Sequence, residues 1–478
     1  MNKIKTRFAP SPTGDLHIGS LRTALFTYLF AKKNNGEFVL RIEDTDQDRL
    51  KEGSVDSILE GLSWANIKAD NLDNIPYQST RIEIYKKYAE QLVNEGKAYY
   101  CFCTQEALAE MRKIQEQNKQ APKYDRRCLK LTQEEVEEKL KKGTPHVIRM
   151  KIPEGKTKFN DLIRGEVEFD HKEIDDQVLL KSDGFATYHL AHIIDDHETE
   201  ITHVIRAEEW LPSTPKHVLL YQMFNWDLPE FAHIPLILAP DKSKLSKRHG
   251  ATGVLEFKKL GYLPEAVLNY IALLGWNPGN EQEIFTLEKL ENEFSLDKVH
   301  KAGAVFDIEK LDWMNGSYIR ELSLENFTER CMPYLVDANL VDSESYDEKY
   351  IQSVVVLEQE RIKKLSEIPE VTEYFFKEIS YDKELLKWKK SDLATAKSRL
   401  EFIYEELNKI PEENWTRSSL EQLLIDVIKV KDLGVGDTLW PMRVALTGQQ
   451  NSPGPFEVAE VLGKEKSLER IKKAIDIL

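Results

Sequence analysis

At 478 residues, with 41% hydrophobic and 31% charged side chains, the chain is long enough for three or four domains of roughly 100–200 residues and is ordinary for a globular protein in water. Its apolar runs fall short of a membrane span and no basic-then-apolar leader precedes Arg7, so a membrane role is excluded and a place in the cytoplasm is expected. The net charge of −16 argues against a non-specific polyanion binder, and four cysteines (Cys101, Cys103, Cys128, Cys331) are no disulfide framework.

In chain order, residues 4–8 read as a strand that runs through Arg7-Phe-Ala-Pro-Ser11-Pro-Thr-Gly14 into His17-Ile-Gly19-Ser20 and a helix over 20–33, stopped by Asn34-Asn35-Gly36. Amide groups at such a helix start point outward unpaired and attract phosphate, with His17 as an added donor and Gly19 allowing close approach. A strand over 37–42 follows, ending in the acidic loop Glu43-Asp44-Thr45-Asp46. Thr80 and Glu83 predict a capping box, and Ile82, Tyr85, Ala89 and Leu92 the buried stripe of its helix. Short strands, cysteines and a charged helical stretch fill 98–187 before a strand over 201–205 and a helix over 215–224. That order predicts one α/β nucleotide fold interrupted by an inserted domain and resuming near Tyr188. Lys244-Leu-Ser-Lys247-Arg248 then supplies mobile cations, which, with the His17 segment, describe a site that works on ATP; alone it reads equally as a solvated basic loop.

Beyond about 323 the pattern turns helical. Leu393, Ala396, Leu400, Ile403, Leu407 and Ile410 recur at steps of 3 and 4, and Ile351, Val354, Ile362 and Leu365 mark a second helix. Turn-rich breaks are expected at Gly434-Val-Gly-Asp and at Asn451-Ser-Pro-Gly-Pro.

Both ATP motifs, together with Arg41-Ile-Glu-Asp-Thr-Asp46 and Ile205-Arg-Ala-Glu-Glu-Trp210, make the chain resemble the class I aminoacyl-tRNA synthetases and, within them, the bacterial-type glutamyl branch. The resemblance implies a Rossmann-type parallel-sheet catalytic domain (1–84 and 188–240), an inserted α+β acceptor-stem-binding domain (85–187), a connecting domain with the lysine loop (241–323), and all-α anticodon-binding domains (324–379 and 380–478). It implies activation of L-glutamate with ATP and Mg²⁺, then transfer to the terminal ribose of tRNA(Glu) by a monomer, and leaves charging of tRNA(Gln) open. His17, Gly19, Lys244 and Lys247 carry over as catalytic and ATP-binding residues, Trp210 as an ATP contact, and Arg7, Ser11, Glu43, Tyr188 and Arg206 as the glutamate pocket. Glu43 suits the substrate ammonium, and Arg206 its side-chain carboxylate through a two-pronged pairing. Taken singly, Arg7 could close a sheet edge, Tyr188 could be a half-buried aromatic and Trp210 a core one. His192 stands where many relatives carry Asn, and a structural role is as good a reading as a substrate contact.

Cys101-x-Cys103 with Cys128 resembles the zinc site of some family members, whose fourth ligand, a His, is replaced here by Lys130. Tyr124 is the substitute suggested by a short tRNA-modifying relative; three reduced cysteines without metal are the alternative, and Cys331 reads as a buried small apolar residue. Arg361, Lys363 and Lys364 on one predicted helix, and Arg443, are candidate anticodon contacts or simply a solvated face. Among rival readings, a glutaminyl enzyme is disfavoured by Arg206 and the helical C-terminal part. A silent tRNA-binding paralogue should have eroded His17, Gly19 or Lys247, and a small-molecule nucleotidyltransferase has no need of the helical third.

Overall fold

The computed structural model describes residues 3–478 and divides them into two compact units. The first comprises residues up to 258 together with 264–308, and the second comprises 259–263 and 309–478.

The first unit is built on a six-stranded sheet. In chain order its strands are β1 (Lys5–Phe8), β2 (Glu37–Leu40), β3 (Lys156–Asp161), β4 (Gly165–Asp170), β5 (His203–Ala207) and β6 (Glu230–Ile234). Across the sheet they run β2-β1-β5-β6-β3-β4, parallel throughout except for the β3–β4 hairpin at the edge. The central parallel strands β1, β5 and β6 are buried on both faces, as crossover helices require. From β1 the chain crosses to β2 on one side, while β5 lies on the other, so the strand order reverses at β1. The crevice above the carboxyl ends of β1 and β5 is where such folds bind ligands. The β3–β4 hairpin comes from the stretch read in the sequence as the insert, yet it extends this sheet; a separate three-stranded antiparallel sheet joins Ala98–Cys101, Val147–Met150 and Val178–Leu180.

The helix after β1 spans Ile18–Lys33, two residues earlier at its start than the sequence suggests, because His17 itself is the N-cap: its Nδ1 accepts from the Gly19 amide at 3.0 Å. Leu21, Ala24, Leu25 and Leu29 are fully buried, and so is Arg22, whose guanidinium donates to the carbonyls of Leu274 (2.5 Å) and Pro235. Burial lowers that guanidinium to about 10.

Other expectations are corrected. No capping box forms at Thr80, because a 3-10 turn, Gln78–Arg81, runs straight into the Ile82–Asn94 helix and the Thr80 hydroxyl donates to the Tyr77 carbonyl (2.7 Å). Tyr85, Ala89 and Leu92 are buried as expected, while Ile82 is half-buried.

The second unit is helical. The Leu393–Asn408 helix buries Ala396, Leu400, Ile403 and Leu407 against helices Arg417–Val430, Val435–Thr447 and Pro455–Asp476. Gly434 is the N-cap of a helix rather than a break, and Gly463, at φ 77°, bends the last helix. The helix read through Ile362 ends at Val355, so Ile362 and Leu365 are buried from the turns that follow. Arg361 and Lys364 therefore lie off that helix, paired with Glu358 (2.8 Å) and with Asp312 (3.7 Å). Cys331 is a fully buried apolar neighbour, as read. No helix among the described residues is long and apolar enough to cross a membrane.

Candidate active site

A cavity of about 950 Å³ opens above the carboxyl ends of β1 and β5, and all ten residues singled out in the sequence line it: Arg7, Ser11, His17, Gly19, Glu43, Tyr188, Arg206, Trp210, Lys244 and Lys247. Arg7 comes from β1, Glu43 from the loop after β2, Tyr188 from the start of the Tyr188–Glu198 helix, and Arg206 from β5.

At one end the charges are buried and mutually paired. Arg7 Nε contacts both oxygens of Asp196 (3.1 and 3.2 Å), and Arg41 reaches Asp196 (2.9 Å) and Glu43 (3.0 Å). Asp195 accepts from Gln78 (2.8 Å), Arg81 (2.8 Å) and Tyr85 (2.9 Å). Burial would raise the Asp196 carboxyl, but Arg7 and Arg41 outweigh it and hold it at about 2. For Glu43 burial wins over the same two arginines and pushes it up to about 7. An arriving ammonium would reverse that balance.

Farther along, Arg206 is 5% exposed and donates to uncharged groups: His233 Nε2 (3.1 Å), Thr214 Oγ1 (2.9 Å), His217 Nδ1 (3.2 Å) and the Tyr188 hydroxyl (2.8 Å). Trp210 is 37% exposed with its ring 4.5 Å from that of Tyr188, so it is a rim residue and not a core aromatic. His192 is buried behind the cavity and stacked on Tyr188 (4.6 Å).

At the other end the helix start differs from the sequence reading. The Ile18 amide donates to Thr252 O (2.8 Å), the Gly19 amide to His17 Nδ1, and the Ser20 and Leu21 amides to His17 O (2.9 Å each), so these first four amides are occupied. Anion attraction here falls to the helix dipole, the remaining His17 nitrogen and the lysines. A side chain on Gly19 would come to 3.3 Å from His17 Nδ1, which gives that glycine a steric reason. Burial, then Lys244, lowers His17 and keeps it neutral. Lys244 pairs with Glu209, and Lys247, 74% exposed, lies 3.9 Å from Asp15.

A second cluster lies in the short-strand region. The Cys101, Cys103 and Cys128 sulfurs lie within 4.8 Å of one another, and the Tyr124 hydroxyl is 3.3 Å from Cys101 and 3.5 Å from Cys103. The Cys103–Cys128 separation is 3.5 Å, close to the edge of about 3.8 Å in a tetrahedron with Zn–S bonds of about 2.3 Å. Arg149 lies 4.1 Å over the Tyr124 ring. Donation from Cys128 and Tyr124 pushes the Cys101 thiol down, and the same contact pushes Cys128 up. The donor set fits zinc.

Sequence reasoning passed over Arg41, Asp195, Asp196, Thr214, His217, His233 and Asp161. Two adjacent aspartates on an otherwise apolar helix segment were the available signal for the first group. The histidines gave none, because their partners are distant in sequence.

A parallel nucleotide fold with a cationic loop over the first helix start and a pocket of paired charges beside it is that of a class I synthetase. Residues 3–313 match the family model "tRNA synthetases class I (E and Q), catalytic domain", and residues 326–475 match "Anticodon binding domain". The chain belongs to the class I tRNA synthetases of the E and Q family. It is 45% identical to Glutamate–tRNA ligase 2 of Thermoanaerobacter pseudethanolicus and 46% identical to Glutamate–tRNA ligase of Clostridium botulinum, in each case over 100% of this chain and 99% of that protein. A crystal structure of a glutamate tRNA ligase from Elizabethkingia meningosepticum, in complex with its amino acid, superimposes with a TM-score of 0.91 at 38% identity, covering 100% of both chains.

Proposed function

We propose that the chain is a glutamate–tRNA ligase that activates L-glutamate with ATP and transfers the glutamyl group to the 3′-terminal ribose of tRNA(Glu), releasing AMP and pyrophosphate. The observation that carries this reading is Arg206: a buried cation with no ion-paired carboxylate among the described residues, lining the same cavity as Glu43. An α-amino acid ending in a carboxylate fills that space with an ammonium near Glu43 at one end and a negative group at Arg206.

In-line attack of the substrate carboxylate on the α-phosphate makes catalysis a matter of alignment and charge. The remaining nitrogen of His17 holds the phosphates, Gly19 leaves room for the nucleotide, and Trp210 at the rim supports the adenine or the tRNA end. Lys247 and Lys244 exchange Asp15 and Glu209 for the phosphates as charge develops. Mg²⁺ bound with ATP neutralises pyrophosphate charge. Ser11 hydrogen-bonds the amino-acid end.

Cys101, Cys103, Tyr124 and Cys128 would hold a structural Zn²⁺, and the metal would have to bind the Tyr124 phenol as phenolate against the upward push of its burial. Elemental analysis of protein purified without chelator should find one zinc per chain; none would remove this assignment. The family resemblance supports a cytoplasmic monomer and leaves charging of tRNA(Gln) to experiment.

The test is aminoacylation with labelled glutamate and, separately, glutamine, on purified tRNA(Glu) and tRNA(Gln). Glutamate on tRNA(Glu) alone is the outcome for a discriminating enzyme, and glutamate on both tRNAs that for a broad one. Transfer of glutamine would overturn the role given to Arg206.

A further inference from the structure

The hydrogen bonds around Arg206 fix more than its position. Asp161, 1% exposed, receives the amides of Ile163 (3.0 Å) and Arg164 (2.8 Å) on one oxygen and His233 Nδ1 on the other (2.6 Å). A carboxylate accepts only, so the His233 proton sits on Nδ1 and its Nε2 offers a lone pair to Arg206 Nε. On the other flank His217 Nδ1 accepts from Arg206 Nη2, which puts the His217 proton on Nε2, 3.0 Å from the Nδ1 of His189. Thr214 Oγ1 takes the second Nη2 hydrogen and Tyr188 one from Nη1. Burial lowers all three histidines, in keeping with neutral rings.

Four of the five guanidinium hydrogens are thus used, and one remains on Nη1. The Tyr188 oxygen accepts from Arg206, so its own proton is free as well. The pocket end therefore presents two donors, one from Arg206 and one from Tyr188, in place of the two-pronged arginine fork expected from the sequence. Two carboxylate oxygens satisfy both donors. A carboxamide sets its NH₂ against one of the two donors, and at least one of the two bonds is lost.

We propose that Asp161, His233, His217 and His189 are positioning residues that hold Arg206 in this orientation through uncharged acceptors, and so set the preference for a side chain ending in a carboxylate over a carboxamide. The proposal rests on the reading that Arg206 meets the glutamate side chain. Neutral acceptors are the important part. A carboxylate in place of either histidine would compensate Arg206 and weaken its attraction for substrate. The relay also gives a purpose to the β3–β4 hairpin in the catalytic sheet, since Asp161 ends β3 and is keyed to His233 on β6.

The experiment compares His233→Leu and His217→Leu with His233→Gln and His217→Asn, whose amide oxygens can stand where Nε2 and Nδ1 stand. Thr214→Val serves as a shape-preserving third site and Arg206→Leu as the control. The readouts are KM for glutamate, KM for ATP and the glutamate-to-glutamine ratio of kcat/KM in tRNA(Glu) charging. Leaving a buried guanidinium N–H unpaired should raise KM for glutamate about tenfold in the leucine variants and lower the ratio, with KM for ATP unchanged. The Gln and Asn variants should recover most of the loss, and Thr214→Val should move the same way by less. Unchanged glutamate KM in the leucine variants and Thr214→Val would overturn the relay, as would a joint rise in both KM values with no recovery by the amides. If the leucine variants do not fold, Thr214→Val and the amide variants decide by the same readouts. Intact glutamate preference in Arg206→Leu would instead remove the assignment of Arg206 itself.

Discussion

The two ends of the amino-acid pocket hold buried arginines in opposite ways. At the ammonium end Arg7 and Arg41 are matched by Asp196, Asp195 and Glu43, within ion-pairing distance. At the side-chain end Arg206 has a comparable hydrogen-bond complement, yet every partner is uncharged among the described residues. Charge pairing holds the first end in place, so that it shapes the space around the substrate ammonium. Neutral partners leave the second end with its desolvated charge still seeking a counter-ion. The first is built for position, and the second for selection.

The largest expected effect breaks the second end. Arg206→Leu removes the buried cation of the side-chain end, and kcat/KM for glutamate in tRNA charging should fall on the order of 10⁴-fold, the scale for sites built around a specific polar group. Steady-state charging assays check this, and a loss confined to a few-fold would place carboxylate recognition elsewhere. Next comes the first end. Asp196→Asn leaves Arg7 and Arg41 short of a buried counter-charge and should destabilise the fold by about 3–5 kcal/mol in urea denaturation. Arg206→Leu should cost less in the same assay, because it leaves neutral acceptors without their donor and no buried charge without its counter-ion. If both variants lost stability equally, the contrast between the two ends would be lost.

The difference also explains what could be read from the sequence. The nucleotide fold and the helical C-terminal part stand out from local patterns, and His17, Gly19, Lys244 and Lys247 from short motifs whose spacing carries chemistry, whereas the other six cavity residues stand out only through the family resemblance. The partners that give those residues their electrostatic character come from elsewhere in the chain. Asp161 reaches His233 because two strands far apart in sequence belong to one sheet, and Asp196 reaches Arg7 because the Tyr188–Glu198 helix lies beside β1. Helix boundaries failed for a related reason. Thr80 has the right residue three positions on for a capping box, but Gln78 and Ser79, bonded to Asp195 and Asp44, lie in a 3-10 turn that runs into the helix. Of the occupied amides at the His17 helix start, that of Ile18 depends on the Thr252 carbonyl, which no local pattern foretells.

The phosphate end offers a third case, exposed where the other two are buried. Lys247 is paired with Asp15 only at 3.9 Å and in solvent, so Lys247→Ala should leave stability within about 0.5 kcal/mol. The loss of one cation aimed at developing phosphate charge should still lower kcat by roughly 10²–10³-fold with little change in KM for glutamate. Pre-steady-state adenylate formation in the presence of tRNA separates this from an effect on transfer.

Glu43 supplies the finest probe of the ammonium end, because there burial and pairing pull in opposite directions. Asp196, held at about 2, is depressed below an unfolded value of about 3.9. Its contribution to stability is present above that unfolded value and is lost as pH falls toward 2. Glu43, raised to about 7 against an unfolded value of about 4.3, has the reverse sign: its contribution is full below the unfolded value and fades as pH rises toward 7. At pH 6 Glu43 is largely protonated in the free enzyme, and a substrate ammonium arriving beside it favours the carboxylate. Glutamate binding should therefore release a proton, up to about one per site near pH 6 and fewer by pH 8. Calorimetric titration in buffers of different ionisation enthalpy measures that release, and Glu43→Gln should abolish it. Binding without proton release at pH 6 in the parent enzyme would mean that Arg41, and not burial, governs Glu43, and that the ammonium end is closed electrically before substrate arrives.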